Sequence, residues 1–134
     1  MLLALAAAQA APQGDEAALR HCTSLVRSKP DQALSHAEEW RMKGGGIQAR
    51  QCLGLAYVAL ERWQPAASVF EQAAREADTS KDSRRSDLWV QSGNAWLAAD
   101  IGDKARKAFD AALAAGQLSP ELRGEVYLDR ARAG

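Results

Sequence analysis

The sequence carries no net charge: seventeen Lys and Arg offset seventeen Asp and Glu. Affinity for nucleic acid or an anionic membrane comes from clustered cations, so this balance excludes a binder driven by bulk charge. Cysteine and histidine are scarce, at two each: Cys22, Cys52, His21 and His36. A structural zinc site takes four such ligands, often with a close Cys-x-x-Cys pair, and nothing here is spaced that way. Gly-x-Ser-x-Gly, His-Glu-x-x-His and a phosphate-cradling glycine loop are all missing. Gly44-Gly45-Gly46 lacks the Lys-Ser/Thr that completes such a loop and reads as a helix stop. Glu38 and Glu39 occupy consecutive positions, which diverge on a helix. No catalytic residue, metal or cofactor is expected. Long apolar runs are lacking too. Cys52 to Leu60 is ended by Glu61-Arg62, whereas a spanning helix needs about 20 apolar residues. Only four prolines and few β-branched residues oppose helix formation.

What the chain has is alanine, 29 of 134 residues, the strongest intrinsic helix former. Length suits one all-α domain. The first stretch, MLLALAAAQAA, is uncharged and apolar, and Ala8-Gln9-Ala10 has the small-x-small pattern of a signal-peptidase site. Residues 1–10 are therefore expected to be an export signal and 11–14 a flexible lead-in. The usual basic residue before the apolar run is missing, so the signal is a shortened one; a frayed first helix turn is the other reading.

A repeat emerges when the sequence is slid by 39 residues. Gly54 falls on Gly93, Ala56 on Ala95, Ala59 on Ala98, Ala66 on Ala105, Phe70 on Phe109 and Ala73 on Ala112. Tyr57 falls on Trp96 and Glu61 on Asp100. In Gly54-x-x-Tyr57 a small and an aromatic residue lie about one turn apart on one helix face. In Ala66-x-x-x-Phe70-x-x-Ala73 the order is small, large, small, again on one face. Small residues let two helix axes approach, and aromatics fill the space beside them. A glycine inside a helix costs about 1 kcal/mol against alanine, so two at equivalent places imply a packing reason. Trp89 and Trp96, seven apart, share that face and read as core; Trp63 falls at the hairpin turn, and Trp40 is undetermined.

Arg50-x-x-Leu53-Gly54-x-x-Tyr57 with Ala66-x-x-x-Phe70-x-x-Ala73, and Trp89-x-x-Ser92-Gly93-x-x-Trp96 with Ala105-x-x-x-Phe109-x-x-Ala112, resemble tetratricopeptide repeats. The resemblance implies a right-handed α-solenoid within 15–134: hairpins at about 15–43, 47–77 and 84–116, and a capping helix at about 120–132. Ser119-Pro120-Glu121 is a helix start, and Gly124-x-x-Tyr127 repeats the first-helix signature without a second helix after it. The first hairpin lacks the glycine–aromatic signature; Ala33 and Ala37 take its small places. The polar run from Asp78 to Ser86 makes up the extra length of the spacing, as a loop or a helix extension.

The resemblance further implies that first helices line a concave groove. On this sequence the lining is Gln48, Gln51, Leu55 and Val58, then Asp87, Val90, Asn94 and Leu97, then Glu121, Glu125 and Leu128. Asn94 stands where some relatives grip a peptide backbone. The basic residues of the carboxylate-clamp subtype are unmatched, since Leu55 and Val90 stand at two of their places. The expected occupant is an apolar or amphipathic segment of a partner protein. Self-association through open solenoid ends is the alternative. Nucleic acid and membrane insertion after signal removal are not expected. Cys22 and Cys52 fall on the first helices of successive hairpins, which are neighbours in a solenoid. In a periplasmic or otherwise exported protein they would pair; otherwise they are two small buried hydrophobes.

Overall fold

The computed structural model describes residues 2–134, with side chains from Gly14 onward. The proposed signal, 1–10, lies outside the residues whose side chains are described, as do 11–13 of the lead-in. Seven helices follow in order: α1 (Leu2–Ser28), α2 (Pro30–Met42), α3 (Gly46–Ala59), α4 (Trp63–Ser80), α5 (Arg85–Ala98), α6 (Gly102–Ala115) and α7 (Pro120–Arg132). No strand occurs among the described residues. Each helix packs on its neighbours in sequence, and α1 also packs on α3.

The start and stop signals act as their chemistry dictates. Pro30 and Pro120 open α2 and α7, where a missing N–H costs nothing. The Ser119 hydroxyl accepts the Leu122 N–H at 3.2 Å. Glu61 (φ 56°) and Asp100 (φ 63°), 39 residues apart, both take the left-handed conformation just past α3 and α5. In each turn the next N–H closes back on the helix, Arg62 to the Tyr57 carbonyl and Ile101 to the Trp96 carbonyl, both at 2.9 Å. The repeat therefore extends to the turn geometry. The extra length of the spacing is a helix extension: α4 has 18 residues against 14 in α6. Trp63, expected in the turn, is the first residue of α4.

The matched glycines do what their spacing implied. A methyl group at Gly54 would stand 2.6 Å from the Phe70 ring, and one at Gly93 would stand 2.5 Å from the Phe109 ring. Each phenylalanine of a second helix thus packs its ring against the bare backbone of its first helix. Ala66, Ala73, Ala105 and Ala112 beside them are fully buried. Ser92 stands where the repeat pattern has leucine. Its buried hydroxyl donates to the Ala67 carbonyl at 3.0 Å, tying α5 to α4. The Trp89 indole N–H donates to Asp78 at 2.9 Å across the same pair.

The core has two parts. The larger, centred on α4, α5 and α6, reaches Val126 of α7. The smaller gathers Cys22, Ala37, Cys52 and Leu53, with Leu34 and Trp40 packed against it. Cys22 and Cys52 form a disulfide, Cα to Cα 6.1 Å, which joins α1 to α3. Gly45 has a reason beyond stopping α2, because a side chain there would meet the Trp40 ring at 2.5 Å. At the other end α7 is fixed by Val126, by the Arg130–Asp110 ion pair to α6, and by Ala133. The Ala133 carbonyl lies so close to Gly102 that no Cβ fits between them. No helix among the described residues is long and apolar enough to cross a membrane.

Candidate functional site

Two successive first helices, α3 and α5, flank a pocket of about 200 Å³. Leu55 and Val58 come from α3, Gln91, Asn94 and Ala95 from α5, and Trp63 and Phe70 from α4. The glycine–phenylalanine contact sets its depth. With Phe70 lying on Gly54, the ring edge becomes the floor between the two first helices. The walls are largely aliphatic and aromatic, with two carboxamides on one turn of α5.

Those carboxamides differ in state. Asn94 is exposed, free to meet a ligand. The Gln91 side-chain oxygen is buried without a hydrogen-bond partner, and so is that of Gln51 on α3. An unpaired buried acceptor costs about 1–3 kcal/mol, which a donor from a bound chain would recover. Neither lining helix places a charge in the pocket, so it suits an uncharged apolar group with backbone N–H groups beside it.

Of the residues expected along the groove, Leu55, Val58 and Asn94 come together in this pocket. Gln48, Gln51 and Leu97 are half-buried outside it, and Asp87, Glu121 and Glu125 are exposed outside it. Val90 faces inward instead: it is 8% exposed and belongs to the main core. The reason is enclosure, because α5 packs against both α4 and α6 and leaves little of its surface free. Leu128 and Tyr127 are 55% and 58% exposed. Two lining residues escaped the sequence reading. Gln91 lies one turn before Asn94, a spacing that would have found it. Trp63 had been placed in the turn, and only its entry into α4 brings it over the pocket.

Elsewhere the two histidines, far apart in sequence, meet edge to face at 5.3 Å between α1 and α2. No group of three His, Cys, Asp or Glu among the described residues is arranged to hold a metal ion. As a disulfide, neither cysteine offers a thiolate. The polar connector after α4 is fixed by Asp82. Its carboxylate accepts from the Arg84 backbone N–H at 2.9 Å and from the Arg84 guanidinium at 2.7 Å. The guanidinium contact holds Asp82 at a pKa of about 2, below the usual carboxylate range.

Compared with known proteins, the chain matches no protein-family model and no curated sequence.

Proposed function

We propose that the chain is a non-catalytic protein-binding module, a tetratricopeptide-like solenoid. It holds an apolar or amphipathic segment of a partner protein in the hollow between its first helices. The observation that carries this reading is the pocket between α3 and α5, apolar in its walls and edged by Asn94 and the unpartnered Gln91 oxygen. Aliphatic walls take a side chain, while carboxamides take the polar backbone on either side of it. The repeat register supports a solenoid: hairpins with the same glycine, the same phenylalanine and the same left-handed turn residue stack in sequence order. The disulfide and the apolar first stretch are compatible with an exported protein acting as an adaptor or assembly scaffold in the cell envelope.

Selection of peptides from a displayed library on the immobilised protein tests the proposal. Selected sequences should be apolar or amphipathic, and calorimetry should show their binding lost in Leu55→Glu/Asn94→Glu while the thermal melt is unchanged. Undiminished binding in that variant would reject the site. Gln91→Leu gives a second readout: removing the unpaired oxygen should raise stability by about 1 kcal/mol and weaken peptide binding.

A further inference from the structure

A second pocket, of about 260 Å³, lies between the second helices α4 and α6 and is floored by α5. Its lining is Glu71 and Arg75 of α4, Trp89 of α5, and Lys104, Lys107 and Ala108 of α6. Three cations therefore face one carboxylate in a chain whose net charge is zero. Neither Lys104 nor Lys107 has an ion-pair partner among the described residues. Arg75 reaches only Glu71, and at a loose 3.4 Å.

Two of these cations are held in place by the core. The Arg75 guanidinium stands 5.6 Å from the centre of the Trp89 ring, and the Lys104 ammonium 4.6 Å from that of Trp96. Such contacts attract a cation to the ring face. The Trp89 ring is itself fixed by its N–H bond to Asp78. The tryptophans spaced seven apart thus bury their bodies in the core and steady two cations at its rim. Charges ordered beforehand need not be ordered on binding.

We propose that this pocket is a second recognition site, distinct from the groove between first helices, and that it takes an acidic peptide segment. Three cations, two of them steadied on indole rings, against one carboxylate leave an excess of positive charge for side-chain carboxylates to neutralise. Trp89 and Ala108 offer apolar wall to the methylenes that carry those carboxylates, or to an aliphatic neighbour. A nucleic-acid strand fits worse, because Glu71 stands in the lining and would repel a phosphate.

The test is fluorescence anisotropy with a labelled peptide in which Glu alternates with Leu and Ala, against its Gln-for-Glu counterpart and a labelled single-stranded oligonucleotide. The acidic peptide should bind, more weakly as salt is added. The glutamine peptide should not bind. Lys104→Ser/Lys107→Ser should weaken the acidic peptide about tenfold, the loss expected for two partly exposed ion pairs. Lys104→Arg/Lys107→Arg should restore it. Both pairs sit on the surface of α6, and an unchanged melt confirms that each variant is folded. Leu55→Glu/Asn94→Glu should leave this binding intact. No binding by the acidic peptide, equal binding by the serine variant or by the glutamine peptide, or tighter binding of the oligonucleotide would each overturn the proposal.

Discussion

The first hairpin and the two that follow solve the same packing problem differently. In α3–α4 and α5–α6 a phenylalanine lies on a bare glycine backbone, and alanines on either side bring the helices together. Among the described residues of α1–α2 no such nest occurs. Ala33 and Ala37 supply the small surface, but among the described residues the apolar cluster that joins α1, α2 and α3 is small: Cys22, Ala37, Cys52 and Leu53. There a covalent bond, Cys22 to Cys52, links the first helix to the next hairpin. Shape complementarity holds the centre, and a crosslink supplements a thin interface at the edge. A hairpin without the glycine–phenylalanine signature is thus joined to its neighbour by a covalent link.

The comparison breaks most sharply at Gly93. Gly93→Leu should cost roughly 4 kcal/mol in urea denaturation, because even one carbon there meets the Phe109 ring and both helices must part. An unchanged melt would mean that the nest does not hold the centre. Removing the disulfide as Cys22→Ala/Cys52→Ala should cost about 3 kcal/mol for a loop of this length. Its effect should be local: amide exchange should quicken in α1 and α2 far more than in α5 and α6. Equal quickening throughout would erase the distinction between edge and centre.

Two smaller effects sharpen it. Asp82 locks the connector between the central hairpins, and its pKa is lowered to about 2 by the Arg84 guanidinium. A carboxylate with a lowered folded pKa stabilises above its unfolded value, and that stability drains away as pH falls from about 4 toward 2. With Arg84 partly exposed, the loss should be about 1 kcal/mol in acid melts, and it should vanish in Asp82→Asn. Finally, Asp100→Gly relieves a left-handed residue at the α5–α6 turn. It should stabilise by about 0.5–1 kcal/mol in thermal melts, and Glu61→Gly by as much, if the two turns are equivalent.

Much of the fold was legible because helix packing writes itself at fixed spacing. Gly54 with Gly93 and Phe70 with Phe109 could be matched from the repeat alone, and a glycine within a helix implies a close neighbour; that the neighbour is the phenylalanine of the next helix is seen only in the fold. The stop at Gly44 and the start at Ser119-Pro120 were equally plain, because caps are local chemistry. The site was less so. Val90 was expected at the surface, and the packing of α5 between α4 and α6 buries it. Gln91 and Trp63 were missed because a pocket wall depends on how two hairpins meet, which no single helix period encodes. The cation-bearing tryptophans were read as core, and they are. Their second use, steadying Arg75 and Lys104, depends on contacts between helices.

The most direct test of a groove between first helices is amide chemical-shift mapping of the protein as a library-selected peptide is added. The shifts should centre on Leu55, Val58, Gln91 and Asn94, along the facing sides of α3 and α5. Shifts confined to α7, or to the α4–α6 pocket, with those four residues unmoved, would contradict it.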